Sequence, residues 1–192
     1  MSSNLLILLP IVLSGCGAGE AQDSAASRAP HAWVSSTQTS EWTVDPVKGS
    51  IGLLQIGMSE EAIVSLNLPI KWSEEEQEGM SYEVVTVSGP GDITIECVLS
   101  DGIVYRCSSE SKRLRDRAGQ GVGSTLRELK RAYPLGRLLV SYENGKNASF
   151  VLGGRMMFSM DLRLIKEECF ELKQCDFDED ALRAVRIVVT DA

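Results

Sequence analysis

The segment Asp92-Ile-Thr-Ile-Glu-Cys-Val-Leu-Ser-Asp-Gly-Ile-Val-Tyr-Arg-Cys-Ser-Ser109 alternates apolar and polar residues on either side of an Asp-Gly pair. That is the pattern of a β-hairpin with one buried face. Alternation places Ile93, Ile95, Cys97 and Leu99 on one face of the first strand, and Ile103, Tyr105 and Cys107 on one face of the next. The two faces coincide only if the turn holds an odd number of residues. A three-residue loop, Ser100-Asp101-Gly102, meets the condition, with Gly102 supplying the left-handed conformation. It sets Cys97 and Cys107 on the same side, diagonal to each other, and a further register adjustment would bring them directly opposite.

Outward from this hairpin the strand pattern continues. Tyr82 to Ser88 precedes it across Gly89-Pro90-Gly91, and Leu138 to Glu143, Ala148 to Leu152, Arg155 to Leu162 and Ala184 to Thr190 come later, with Asn144-Gly145 and Gly153-Gly154 as tight turns. Each set of strands follows a short helical pattern. Gly57-Met58-Ser59-Glu60-Glu61-Ala62-Ile63 aligns with Gly123-Ser124-Thr125-Leu126-Arg127-Glu128-Leu129, an offset of 66 residues. Ser59 and Thr125 suit the N-cap, Glu60 and Glu61 suit the positive end of the first helix, and Glu128 completes a capping box with Thr125. The pattern predicts an α+β fold of two tandem units, residues 42–117 and 118–192, each a short helix packed on an antiparallel β-meander.

Composition limits the functions available. The chain has 192 residues, 43% of them hydrophobic, and a net charge of -8, which argues against nucleic acid as a partner. Charge is polarised along the sequence. Residues 74 to 101 hold eight carboxylates and no Lys or Arg, whereas residues 106 to 137 hold nine bases against three acids. Within the latter, Lys112, Arg113, Arg115, Arg117, Arg127, Lys130 and Arg131 form a candidate strip for an anion or an acidic partner, since Arg127, Lys130 and Arg131 fall opposite Leu126 and Leu129 on the second helix.

Near the start, an apolar run from Leu5 to Leu13 is far shorter than the roughly 20 residues needed to cross a bilayer. It closes with Leu13-Ser14-Gly15-Cys16, which resembles the lipobox of bacterial lipoproteins. The resemblance implies a signal peptide over 1–15, cleavage before Cys16, and diacylglycerol and palmitate on that residue. Gly17 in place of Asp implies outer-membrane sorting by the enteric rule, so the expected location is a lipid anchor in the outer membrane facing the periplasm. Residues 16–41 are rich in Gly, Ala, Ser, Thr and Gln and read as a flexible tether with an r.m.s. reach of roughly 25 to 30 Å. With Cys16 committed to lipid, Cys97, Cys107, Cys169 and Cys175 remain, an even four suited to an oxidising compartment. Three pairings are possible, and spacing favours Cys97 with Cys107 and Cys169 with Cys175.

Other motifs point to little chemistry. Gly119-Gln120-Gly121-Val122-Gly123 has the look of a phosphate loop but lacks Gly-Lys-[Ser/Thr], and its glycines fit the turn into the second helix. Asp176, Asp178 and Asp180 alternate as in a calcium loop, yet Ala181 replaces the required Gly and Ile187 the bidentate Glu. His31, the single histidine, sits in the tether, which removes Ser-His-Asp and Cys-His catalysis and a zinc site from consideration. The glutamates between 74 and 83 read as a solvated loop, with a carboxylate-pair glycosidase as the remaining enzymatic option. No catalytic residue, metal or cofactor is assigned.

Ile56-Gly57-Met58-Ser59, a short helix and Leu66-Asn67-Leu68-Pro69 resemble the repeat of the BamE-like (SmpA/OmlA) outer-membrane-assembly lipoproteins and of the β-lactamase inhibitory protein, whose pattern is Ile-x-x-Gly-Met-[Ser/Thr], helix, Leu-Gly-x-Pro. Asn67 stands where Gly is usual, and Asn tolerates the left-handed conformation required there. The second copy keeps Val122-Gly123-Ser124-Thr125 and has Tyr133-Pro134-Leu135-Gly136 after its helix. The resemblance implies a non-enzymatic, lipid-anchored binding or envelope-assembly module, partnered by the membrane through its lipid and by a protein or anionic envelope polymer. The alternatives are a secreted-enzyme inhibitor and, further off, a carboxylate-based cell-wall hydrolase.

Overall fold

The structure, a computed structural model, describes residues 42–77, 79–142, 145–170 and 175–191. The expected signal peptide, Cys16, the tether and His31 lie outside the described residues. Three two-residue strands, β1 (Val44–Asp45), β2 (Ser50–Ile51) and β3 (Leu54–Gln55), make a small sheet in that order. Helix α1 (Glu60–Ser65) precedes β4 (Ile70–Gln77), β5 (Met80–Ser88), β6 (Thr94–Ser100) and β7 (Ile103–Ser109). Helix α2 (Leu126–Ala132) precedes β8 (Arg137–Ser141), β9 (Asn147–Val151) and β10 (Met156–Met160). Two 3-10 turns, Leu162–Leu164 and Glu167–Phe170, then lead to β11 (Ala184–Thr190).

Strands β4 to β11 form one antiparallel sheet in the order β4-β5-β6-β7-β11-β10-β9-β8. This corrects the expected α+β architecture of two tandem helix-on-meander units. The described chain is mostly antiparallel β, with one eight-stranded sheet, one three-stranded sheet, and helices of only six and seven residues. The physical reason lies in edges. A separate four-stranded meander leaves unpaired amides and carbonyls along both sides. Pairing of β7 with β11, from Ser109 with Ile187 to Arg106 with Thr190, removes two such edges and merges the inner faces.

One hydrophobic cluster fills the inner side. It takes Val85, Val87, Ile95, Cys97, Leu99, Val104, Phe150, Met156, Phe158, Ile187 and Val189 from the large sheet. From above come Ile63 of α1, Leu126 and Leu129 of α2, and Val44, Ile51 and Leu54 of the small sheet. Helices this short do not persist alone, so burial of those apolar residues holds them. Their starts follow from side-chain caps. Ser59 Oγ accepts from the Ala62 amide at 3.3 Å, while Thr125 and Glu128 bond each other's backbone amides in a capping box. Asn67 takes the left-handed conformation (φ 53°) beyond α1. The small sheet also seats Trp42 over the turn before β6, where a Cβ on Gly89 would lie 2.5 Å from the indole ring.

The central hairpin differs from expectation in one residue. Ser100 pairs with Ile103, so the turn is the two-residue Asp101-Gly102, with φ of 51° and 73° as a type I′ turn requires. The odd residue is in the strand. Val98 faces Arg106 and Leu99 faces Val104, which leaves Tyr105 as a β-bulge. The bulge inverts the facing of β7, so that Val104 is buried, Ile103 is 42% exposed, and Cys97 and Cys107 are directly opposed and bonded. The second disulfide joins Cys169 to Cys175.

Candidate functional site: the second face of the large sheet

Because the helices and the small sheet pack on one side, alternate residues of every long strand point to the other. One complete row crosses all eight strands along the register: Lys71, Thr86, Glu96 and Ser108 on β4 to β7, then Val188, Met157, Val151 and Arg137 on β11 to β8. Its first half is polar and charged, its second mainly apolar. A neighbouring row runs Val84, Val98, Arg106, Thr190. Val84, Val98 and Val188 are buried yet stand outside the core cluster, which places them on this second face.

Beside Val84 and Val98 stands an aromatic pair. The rings of Tyr82 and Tyr105 are 5.8 Å apart and tilted, and the Arg106 guanidinium lies 5.8 Å from the Tyr105 centroid. The bulge brings Tyr105 there. Tilted aromatic pairs and a cation near a ring face are each worth about 0.5 to 1.5 kcal/mol, so the three side chains form one semi-rigid group. Toward the opposite end of the strands, Arg186 of β11 donates to Glu110 from Nη2 at 2.6 Å and from Nε at 3.1 Å. This pair separates two shallow clefts. One, of about 390 Å³, is lined by Asp92, Thr94, Glu96, Ser108, Ser109 and Ser111. The other, of about 300 Å³, includes Lys146, Asn147, Ser159 and Asp161.

The basic strip lies elsewhere and is spread over two elements. Leu126 and Leu129 of α2 are fully buried, which turns Arg127, Lys130 and Arg131 to solvent. The loop between Asp178 and Leu182 meets them with acids. Arg127 Nε donates to Asp180 at 2.6 Å and Lys130 Nζ to Glu179 at 2.5 Å. The Arg127 hydrogen bond holds the Asp180 carboxyl below its ordinary range and pushes the guanidinium up. Arg117 pairs with Asp45 at 3.4 Å, Arg113 donates to the Gly91 carbonyl at 2.9 Å, and Arg115 to the Val122 carbonyl at 2.8 Å. Lys112 is exposed on the same loop. Most of the strip is therefore engaged internally.

The glycine-rich loop is occupied in the same manner. Asp116, 6% exposed, accepts from the amides of Ala118 and Gln120 through Oδ1 and from the Tyr133 hydroxyl through Oδ2. The Gly119 amide donates to the Asp116 carbonyl, Gly121 to Ser124 Oγ, and Gly123 to the Ala184 carbonyl. These amides have partners within the chain and do not converge on an anion. Gly121 is required for contact, since a Cβ would meet the Leu114 carbonyl at 2.3 Å. Burial and the Asp116 carboxylate push the Tyr133 phenol well above its ordinary value. The aspartates that alternate as in a calcium loop cap a turn, with Asp178 Oδ1 accepting from the Asp180 and Ala181 amides. Among the described residues no group of His, Cys, Asp or Glu has a metal-binding arrangement.

The glutamates read as a loop are strand residues. Glu74, Glu75 and Glu76 belong to β4, with Glu74 opposite Glu83 of β5. The Tyr82, Tyr105 and Arg106 group was absent from the sequence candidates, because its assembly depends on the bulge.

These observations define a class: an antiparallel sheet with one face buried under two short helices and a small sheet, and the other carrying an aromatic and arginine group. No family model matches the sequence, and no curated protein matches it. Among solved structures the fold is similar to that of the uncharacterized protein yfeY from Escherichia coli, with a TM-score of 0.52 and 12% identity, covering 70% of this chain and 90% of that one. At this identity the likeness concerns the fold alone.

Proposed function

We propose that the chain is a lipid-anchored, non-enzymatic binding module of the bacterial envelope, and that its contact surface is the second face of the large sheet. The observation carrying this reading is the Tyr82, Tyr105 and Arg106 group beside Val84 and Val98. Tyr and Arg side chains around a small apolar centre are the residue types that dominate binding energy at protein interfaces. The Leu13-Ser14-Gly15-Cys16 motif and the tether behind it support the anchor and the outer-membrane location. The cargo of such a module is a protein of the same compartment.

Affinity purification from detergent-solubilised membranes tests the reading. The native chain recovers a defined partner, and Tyr82→Ala with Tyr105→Ala and Arg106→Ala loses it while remaining cooperatively folded at the temperature of the experiment. Equal recovery by the variant, or no partner together with an unchanged envelope on deletion, rejects the proposal. The anchor is tested separately: Cys16→Ser abolishes acyl labelling and releases the protein from membranes, and retention there contradicts it.

A further inference from the structure

Strand β4 ends the large sheet, and among the described residues β5 is its only strand neighbour. Half of its backbone hydrogen-bonding groups therefore face away from the ladder. The same strand is densely acidic. Glu74, Glu75 and Glu76 are consecutive, so their carboxylates alternate between the two faces. Glu74 stands directly opposite Glu83, a like-charged cross-strand pair that costs stability. Glu60 of α1 approaches from above, and with half-buried Trp72, Ser73, Glu74 and Glu83 it lines a cleft of about 310 Å³.

None of these five glutamates forms an ion pair among the described residues, although seven ion pairs occur elsewhere. We infer that β4 is a docking edge for a cationic, extended segment of a partner protein, which adds to the sheet as a further strand. Charge selects the occupant. A second copy of this chain brings the same carboxylates and is repelled, which closes the edge to self-association. A strand bearing Lys or Arg gains main-chain hydrogen bonds and ion pairs together. Consecutive carboxylates call for consecutive cations, because adjacent side chains of the incoming strand point to opposite faces, one toward Glu75 and the next toward Glu74 and Glu76. A cation on the latter face also reaches the cleft, where the Trp72 ring offers a cation–π contact. Glu75 shares its face with Tyr82 directly opposite, whereas Tyr105 and Arg106 stand on β7, three strands from the edge.

The test titrates the full chain, purified in detergent, with a fluorescent octapeptide of Thr and Val around three adjacent Lys residues. At low ionic strength binding is saturable. It weakens by roughly tenfold or more in the triple variant Glu74→Gln, Glu75→Gln, Glu76→Gln. It weakens comparably when alternate peptide nitrogens are methylated, a change that removes strand hydrogen bonds, keeps the charge and leaves the protein native. Tyr105→Ala with Arg106→Ala, on β7 and away from the edge, leaves peptide affinity unchanged. Absence of binding, or indifference to the glutamate substitutions or to backbone methylation, overturns the proposal, as does loss of affinity in the Tyr105 and Arg106 variant.

Discussion

The flank of α2 and the edge strand β4 carry the two densest runs of like charge, basic and acidic respectively, and only the first is matched from within. Arg127 and Lys130 meet Asp180 and Glu179, Arg117 meets Asp45, and Arg113 and Arg115 hold main-chain carbonyls. Glu74 meets another carboxylate, Glu83, and Glu75 and Glu76 stand opposite Tyr82 and Ser81, so none of the three faces a cation across the strand pair. A charge run in a sequence therefore says little until its partners are known: contacts as far as 72 residues away turn the first into scaffolding and leave the second as surface.

The strongest way to break this contrast is at Asp116, the buried acid that organises the loop carrying Arg113, Arg115 and Arg117. Asp116→Ala leaves two amides and the Tyr133 hydroxyl without their acceptor, and chemical denaturation is expected to show a loss of roughly 2 to 4 kcal/mol. A loss no larger than at exposed Glu75 removes the distinction between the two regions. Next comes Tyr133→Phe, with a loss of about 1 kcal/mol at neutral pH. Because the folded state raises the phenol above its ordinary value of 10, the stabilisation is complete below that pH and declines as pH rises beyond it. The variant lacks that alkaline decline, and a denaturation series from pH 9 to pH 11 measures the difference.

Smaller effects sharpen the comparison. Asp180→Asn with Glu179→Gln leaves stability almost unchanged, since exposed pairs contribute little, but frees Arg127 and Lys130 and lengthens retention on a cation exchanger. Unchanged retention shows that those acids do not mask the strip. Smallest of all, Glu74→Gln raises the melting temperature slightly at low salt and not at high salt, because it relieves repulsion from Glu83 that ions screen. A decrease at low salt contradicts the unpartnered edge.

The sequence was most legible where local chemistry decides. Ser59 and Thr125 announce their helices because an N-cap acts within one turn, and β5, β6 and β7 follow from alternation and from Gly89-Pro90-Gly91 and Asp101-Gly102. Both cysteine pairings are short-range and were favoured by spacing. What escaped is non-local or runs against propensity. β4 was hidden because Glu is depleted in strands, although Ile70 and Trp72 alternate ahead of the acidic run. β1 to β3, at two residues each, carry no periodic signal. The bulge at Tyr105 shows only as an ambiguity in register, and pairing of β7 with β11 joins segments that no local pattern connects. The second face was obscured because Val84, Val98 and Val188 are as apolar as core residues.

That central pairing has a consequence for how the fold closes. β11 is the last of the described strands in chain order, yet it lies in the middle of the sheet, between β7 and β10. Without residues 184–190 the remaining strands divide into two incomplete sheets with edges at β7 and β10, and the shared core lacks Ile187 and Val189. The two halves can share a core only once β11 lies between them, so its loss would expose two edges to aggregation.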